Sequence, residues 1–173
     1  MSKVVLVTGG ARSGKSRFAE GLAEKYAPLR GYLATGEAGD AERADRIARH
    51  RSRRGPDWLT VEEPLAVEEA LRMNEHRCNV VLMDCVTLWV SNLLFRCEGG
   101  AAEALDRVKG FAAGFASLKT PLVVVTNEVG MGIVPEHPLA RSFRDLAGEA
   151  NEMIAAAADE VYVTISGLPL RLK

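Results

Sequence analysis

Residues 9–16, GGARSGKS, have the residue types and the spacing to bind a phosphate chain. They match the pattern G-x-x-x-x-G-K-[ST] at every fixed position. In such a loop the glycines let the backbone approach an anion, Lys15 can reach the β- and γ-phosphates of a nucleotide, and the Ser16 hydroxyl can ligate Mg2+. The stretch therefore predicts chemistry on the phosphates of a nucleoside triphosphate.

The flanking sequence predicts the elements that this loop requires. Residues 4–8, VVLVT, form a short β-branched run typical of a buried strand. After Ser16, the residues Phe18, Leu22 and Tyr26 recur at helical spacing. The loop would join the strand to a helix whose free N-terminal amides face the anion. Because the motif lies directly between a predicted strand and a predicted helix, we predict a phosphate-binding loop and not a chance glycine-rich turn.

A second candidate is Asp84, which ends the apolar run of residues 79–84, NVVLMD. This run predicts another buried strand. In proteins with a phosphate loop, an acid at the end of a neighbouring strand holds Mg2+ directly or through water. This pattern is short and common, and it indicates a Mg2+ ligand only because a phosphate loop lies upstream.

Residues 41–54 form a basic segment with one histidine. Its arginines are Arg43, Arg46, Arg49, Arg51, Arg53 and Arg54. On a helix, Arg43, Arg46 and His50 would share a face. Such a face suits a triphosphate, because guanidinium groups bind phosphate oxygens and a neutral imidazole is a nucleophile near physiological pH. A basic helix is more often solvated surface, however, so composition alone leaves the role of His50 open.

Strand and helix patterns alternate along the chain, which is typical of a mostly parallel central sheet with helices on both faces. Further strands are predicted at residues 31–35, 58–61, 121–126 and 160–165, with an antiparallel C-terminal edge strand near residues 170–172. We predict an α/β fold with a single domain over residues 1–173, a length that suits one core. Sites in such folds lie beyond the carboxyl ends of the strands, so Ala34, Thr35 and Gly36 are expected near the phosphate loop.

Two segments, a predicted helix and a predicted loop, are more apolar than is usual for elements at a protein surface. Residues 86–95, VTLWVSNLLF, predict a helix that is buried on several sides or packed against another subunit. Residues 127–136, NEVGMGIVPE, follow a predicted strand as a glycine-punctuated loop. Such loops often carry function. A substrate with a large apolar body would suit this loop, and so would a subunit contact.

Composition narrows the class of protein. Lys and Arg number 22 against 23 Asp and Glu, so the net charge predicts neither nucleic-acid nor membrane binding. The three cysteines form no C-x-x-C pair, which favours a reducing compartment and small buried thiols over a disulfide framework or a zinc site. The sequence shows no secretory leader and no apolar stretch of bilayer length, so we expect a cytoplasmic protein without a membrane span.

Over nearly its whole length the chain resembles the bifunctional adenosylcobinamide kinase / adenosylcobinamide-phosphate guanylyltransferase family of cobalamin biosynthesis. The resemblance is carried by VTGGARSGKSRFAE, YLATGEA, RIARHRSRRGPDW with TVEEP, DCVTLWVSNLL, VTNEVGMGIVPE and ARSFRDLAGEANEMIAAAADEVY. The loop motif is common to many enzymes, whereas NEVGMGIVPE together with the RIxxH motif before the tryptophan is specific to this family.

The resemblance implies two reactions and a set of site residues. A nucleoside triphosphate, ATP or GTP, would phosphorylate the aminopropanol hydroxyl of adenosylcobinamide, and GMP from GTP would then be attached to adenosylcobinamide phosphate with release of pyrophosphate. His50 matches the histidine that carries GMP covalently, and Lys15 would assist it by stabilising charge on the leaving group. The positions expected to bind nucleotide are Gly9, Gly10, Ala11, Arg12, Ser13, Gly14, Lys15, Ser16, Ala34, Thr35, Gly36, Arg51, Ser52, Arg53, Arg54, Glu62 and Asp84, with Ser16 and Asp84 as ligands of Mg2+.

Members of this family resemble RecA-type phosphate-loop folds and assemble as trimers, so a homotrimer is expected. As a hypothesis, the carboxylate of Glu62 could accept hydrogen bonds from the N1 and N2 donors of guanine and so favour GTP over ATP.

Two other functions are compatible with the phosphate loop. One is a plain small-molecule kinase in which His50 has no catalytic role, and the other is a GTP-dependent switch. The switch is disfavoured because residues 126–130, TNEVG, lack the Lys and Asp of the guanine-reading pattern N-K-x-D.

Overall fold

A computed structural model describes residues 2–36 and 55–173 of the chain. The strands are β1 (Val4–Gly9), β2 (Arg30–Ala34), β3 (Trp58–Glu62), β4 (Val80–Asp84), β5 (Leu122–Val125), β6 (Glu160–Ile165) and β7 (Leu168–Arg171). The helices in these residues are α1 (Lys15–Ala23), α2 (Val67–Asn74), α3 (Val86–Arg96), α4 (Gly100–Ala113), a short 3-10 helix (Gly114–Ser117) and α5 (Pro138–Ala157).

The seven strands form one sheet in the order β3-β2-β4-β5-β1-β6-β7. The pairs from β3 to β6 are parallel, and β7 pairs antiparallel with β6. The hairpin turns at Ser166 and Gly167, which both have positive φ, as a two-residue hairpin turn requires. The predicted α/β fold and its antiparallel C-terminal edge strand are confirmed.

Apolar side chains cover both faces of the sheet, as the alternation within β1 illustrates. Val4 and Leu6 belong to a core with α2, α3, α4 and α5, whereas Val5 and Val7 belong to a second core with α1. Successive residues of a strand point to opposite faces, so a strand that is apolar throughout must be covered twice. The helices therefore lie on both faces, as predicted.

The predicted helix at residues 86–95 is α3, and its apolar character is explained in large part within the chain. Trp89 is fully buried, its ring meets Phe111 of α4 edge-on at 5.2 Å, and its indole N–H donates to the carbonyl of Leu65 at 3.0 Å. Leu88 and Phe95 are exposed. None of the helices in residues 2–36 and 55–173 combines the length and the hydropathy that a bilayer crossing requires.

The apolar pattern of residues 65–76 predicts a helix that begins at Leu65, whereas helix α2 begins two residues later. One carboxylate oxygen of Glu63, Oε1, accepts from the backbone amides of Leu65 and Ala66, each at 2.8 Å. These bonds hold the chain in a turn before the helix, because a side-chain acceptor takes the amides at the helix start. Helical structure therefore starts at Val67.

Candidate nucleotide-binding site

The predicted phosphate loop lies between the end of β1 and the start of α1, so its predicted structural context is confirmed. Gly14 precedes α1 with φ +94°, and a Cβ atom on Gly9 would come within 2.6 Å of both the Ser13 Oγ atom and the Thr164 carbonyl oxygen. Neither position admits a side chain without strain. The sequence pattern thus requires glycine at these two places for reasons of backbone conformation and space.

Lys15 is the buried one of the two charged residues in this loop, the other being Arg12, and it is only 6% exposed. Its Nζ atom donates to the Gly10 carbonyl oxygen at 3.0 Å, so the side chain folds back over the loop. Helix α1 has neither an acidic residue in its first turn nor a side-chain cap. Its N-terminal dipole is therefore not neutralised from within the helix, which suits an incoming anion.

The Ser13 hydroxyl is buried and has no hydrogen-bond partner among the described residues. Buried hydroxyls are normally hydrogen-bonded, so this one points to a partner that residues 2–36 and 55–173 do not supply. Its position inside the loop is consistent with a phosphate oxygen or a water molecule bound there.

The C-terminal hairpin supports the phosphate loop from the side. The Gly167 amide donates to the Ser13 carbonyl oxygen at 2.8 Å, and the Thr164 hydroxyl donates to the Thr8 carbonyl oxygen at 3.0 Å. Sequence reasoning placed Thr164 in the last strand before the edge strand and did not connect the hairpin with the loop. No local pattern could have revealed the contact, since it joins residues from opposite ends of the chain.

Three of the predicted nucleotide positions form one row across the sheet. Ala34 pairs with Glu62 on one side and with Asp84 on the other. Strands lie about 4.8 Å apart, so Asp84, two strands from β1, is about 10 Å from it, and Glu62, four strands away, is about 19 Å from it. We call residues 34–36, Glu62 and Asp84 the nucleotide rim.

Thr35 is the fixed point of the nucleotide rim. It is completely buried, and its hydroxyl donates to the Cys85 carbonyl oxygen at 2.7 Å while accepting from the Cys85 amide at 2.9 Å. The Asn92 amide of α3 donates to the carbonyl oxygens of Thr35 at 2.7 Å and Pro64 at 3.1 Å. Asn92 therefore ties together the segments that follow β2 and β3. Sequence reasoning missed this role.

Asp84 and Ser16 offer the oxygen ligands expected for Mg2+. Asp84 is half-buried at the end of β4, where its Oδ2 atom accepts from the Tyr32 hydroxyl at 2.9 Å, and α1, which carries Ser16, packs against β4. Residues 2–36 and 55–173 contain no cluster of three or more His, Cys, Asp or Glu side chains suited to a metal. A hydroxyl and a carboxylate fit Mg2+, which takes few protein ligands and completes its octahedron with phosphate and water oxygens.

The three cysteines are free thiols that burial keeps protonated. Burial raises the pKa of the Cys85 thiol to about 12 and also raises the pKa values of Cys78 and Cys97. A thiol with a raised pKa is a poor nucleophile, because the thiolate is the reactive form. These values agree with the prediction that the cysteines act as small apolar residues.

A polar group lies where β5 ends, at the start of the loop at residues 127–136 that the sequence had singled out. Asn127 and Glu128 follow this strand, and they are joined there by Asn151 from α5. The strand lies between β1 and β4 in the sheet, so the group stands between the phosphate loop and Asp84.

Part of the predicted site lies outside the described residues. This part comprises the predicted helix at residues 41–54 and five site positions, His50, Arg51, Ser52, Arg53 and Arg54.

A glycine-dependent loop between a strand and a helix, with a buried lysine above it and an aspartate two strands away, defines a phosphate-loop nucleotide-binding protein. The model of one family, described as cobinamide kinase / cobinamide phosphate guanyltransferase, matches residues 5–172. The chain belongs to this family.

Similar proteins agree with this assignment. The chain is 42% identical to the bifunctional adenosylcobalamin biosynthesis protein CobU of Escherichia coli, over 98% of this chain and 99% of that protein. It is 43% identical to the bifunctional adenosylcobalamin biosynthesis protein CobP of Pseudomonas aeruginosa, over 97% of this chain and 96% of that protein.

Two solved structures share the fold at low sequence identity. One is the KaiC-like protein PH0186 of Pyrococcus horikoshii, with a TM-score of 0.51 and 15% identity over 93% of this chain and 70% of that one. The other is the P4 protein of bacteriophage phi6 in complex with ADP, with a TM-score of 0.52 and 19% identity over 98% of this chain and 54% of that one. At these identities the likeness supports the fold alone.

Proposed function

We propose that this protein is a bifunctional enzyme of cobalamin biosynthesis. It phosphorylates adenosylcobinamide with ATP or GTP, and it then transfers GMP from GTP to adenosylcobinamide phosphate, giving adenosylcobinamide-GDP and pyrophosphate. The observation that carries this proposal is the phosphate loop with Lys15 folded over it, in a chain that belongs to the cobinamide kinase / cobinamide phosphate guanyltransferase family.

In both reactions the phosphate loop binds the triphosphate. The backbone amides of residues 9–16 and the N-terminus of α1 face the phosphate oxygens, and Lys15 stabilises charge that builds up on the leaving group. Ser16 and Asp84 would hold Mg2+, which supplies further charge neutralisation when bound. Phosphoryl and nucleotidyl transfer need positioning and electrostatic stabilisation above all, so one cradle can serve both chemistries.

The guanylyl step uses His50 as the nucleophile. A neutral imidazole nitrogen attacks the α-phosphorus of GTP, the bond to the bridging oxygen breaks, and pyrophosphate leaves with the electron pair. The phosphoramidate is then opened by the phosphate of adenosylcobinamide phosphate, which releases the imidazole. In this proposal Arg51, Ser52, Arg53 and Arg54 bind the phosphates, and Glu62 recognises the guanine base.

The test is to incubate the protein with GTP labelled at the α-phosphate and to isolate the protein in acid and in base. We expect a label on the wild-type protein that acid removes and base does not, and no label on His50→Ala. A protein that takes no label but moves the γ-phosphate to adenosylcobinamide would be a kinase alone. One that does neither would be a nucleotide-dependent switch, and the proposal would be wrong.

We further propose that residues 1–173 act as a single domain that assembles as a homotrimer in the cytoplasm. Support comes from the family match over residues 5–172 and from three free thiols, which suit a reducing compartment. Light scattering should give three times the mass of one chain, and cell fractionation should recover the protein with cytoplasmic enzymes. A monomeric mass would contradict the trimer.

A further inference from the structure

The polar group at the end of β5, formed by Asn127, Glu128 and Asn151, has more side-chain hydrogen bonds than a surface loop usually has. Asn127 is held by Thr87, whose hydroxyl accepts from the Asn127 backbone amide at 2.9 Å and from its side-chain amide at 3.0 Å. Asn151 of α5 accepts from the Thr126 hydroxyl at 2.6 Å and donates to the Asn127 carbonyl oxygen at 3.0 Å. The backbone that leaves β5 is thus fixed on two sides.

Glu128 is the charged residue that this scaffold positions. Its backbone amide donates to the Gly9 carbonyl oxygen at 3.1 Å, which places it beside the first residue of the phosphate loop. The Oε1 atom of its carboxylate accepts from the Thr8 hydroxyl and, at 3.4 Å, from the Asn151 side-chain amide. Both donors bind the same oxygen, and Oε2 has no hydrogen-bond partner among residues 2–36 and 55–173.

A carboxylate held in this way is suited to act on a ligand. Ionised carboxylates accept hydrogen bonds at both oxygens, so two donors on Oε1 orient the group and leave Oε2 able to accept a further proton donor. A side chain whose rotamer is fixed by surrounding hydrogen bonds is positioned in the manner that catalytic groups require. Glu128 is half-buried, so a ligand can reach it from solvent.

The surroundings indicate which ligand group Glu128 would meet. On one side lies the phosphate loop, through Thr8 and Gly9. On the other side the chain continues into residues 130–134, where Met131 is 87% exposed and Ile133 is 97% exposed. Glu128 therefore stands between a site for phosphates and an exposed apolar segment, which is where an acceptor molecule with a large apolar body would present its hydroxyl.

We propose that Glu128 is the general base of the kinase reaction, a role that rests on the proposed function. The acceptor hydroxyl gives its proton to the Glu128 carboxylate as its oxygen forms a bond to the γ-phosphorus. The bond between the γ-phosphorus and the β,γ-bridging oxygen breaks, and the nucleoside diphosphate leaves with the electron pair. The protonated carboxyl group then returns its proton to solvent. Guanylyl transfer to His50 involves no acceptor hydroxyl, so it does not use Glu128.

The test compares Glu128→Gln with wild type in both reactions. Glutamine keeps the shape and the acceptor oxygen for Thr8 but cannot take a proton. We expect kcat for phosphorylation of adenosylcobinamide to fall by about 10²- to 10⁴-fold. KM for the nucleotide, and the rate of protein labelling by GTP carrying label at the α-phosphate, should change by less than about threefold. Glu152→Gln, an exposed neighbour of Asn151 on α5, is the matched control and should behave as wild type.

Other outcomes would overturn the inference. Unchanged phosphorylation by Glu128→Gln would show that no base is needed there, and a parallel loss of both reactions would show that the side chain only supports the phosphate loop. If Glu128→Gln does not fold, Glu128→Asp decides, because it retains a carboxylate but withdraws it by one methylene group. We expect this variant to lose phosphorylation activity while it keeps guanylylation activity. Equal losses of the two activities would refute the role. A wild-type protein with neither activity would instead refute the proposed function.

Discussion

The nucleotide rim and the loop after β5, residues 126–137, lie at the same edge of the sheet but are built in opposite ways. The rim is fixed at Thr35, which is fully buried and bonded to Cys85, and Asn92 binds the carbonyl oxygens of Thr35 and Pro64. The loop is fixed at its base by Thr87 and Asn151, and at its far end by Arg141, which donates to the carbonyl oxygens of Pro135 at 3.0 Å and Glu136 at 2.6 Å. Between these two ends the side chains of Met131, Ile133 and Val134 are exposed.

In the proposed function, this difference separates two tasks of one site. ATP and GTP present the same charged phosphate oxygens, so the groups that bind them can be set in advance by buried hydrogen bonds. An apolar acceptor has to enter and leave, and exposed apolar side chains gain burial only when it is bound. Glu128 belongs to the fixed base of the loop, at the border between the two regions.

Thr35→Val should produce the largest effect, because it removes both hydrogen bonds to Cys85 with little change of volume. It leaves a buried N–H and C=O without that partner, so we expect the free energy of unfolding in urea to fall by about 1–3 kcal/mol. Affinity for nucleotide should fall with it. Thr60→Val on β3, where the side chain is half-buried, is the control. Equal stability of the two variants would show that the rim is not held by Thr35.

Glu62→Gln should produce a smaller effect that is confined to nucleotide choice. The side chain is exposed at the end of β3, so stability should not change. If its carboxylate accepts from the donors of guanine, the preference for GTP over ATP should fall about tenfold, or ~1.4 kcal/mol, in competition binding. An unaltered preference would remove Glu62 from guanine recognition.

Ile133→Ser should produce the smallest effect on stability, because the side chain is 97% exposed. We expect the free energy of unfolding to change by less than about 0.5 kcal/mol. A fall in the free energy of unfolding of more than about 1 kcal/mol would contradict the view that this loop is exposed. A fall of that size implies that the Ile133 side chain is buried against another segment or another subunit.

Much of the fold was predictable from local pattern. The strand, the glycine-dependent loop and the helix around Lys15 follow one another within residues 4–23, so spacing alone identified them. The strand ending in Asp84 and the antiparallel partner of β6 were predictable for the same reason, because an apolar run or a turn signal is complete within a few residues. Helix ends were less accurate, as the Glu63 turn before α2 shows.

The sequence by itself determined the phosphate loop, the alternation of strands and helices, and the family. Only the tertiary structure decided that Glu128 meets Thr8, that Asn92 joins the ends of β2 and β3, and that Gly167 supports Ser13. The physical reason is that a hydrogen bond between distant residues exists only after the sheet has brought the carboxyl ends of its strands together. Neither partner carries a local signal of it.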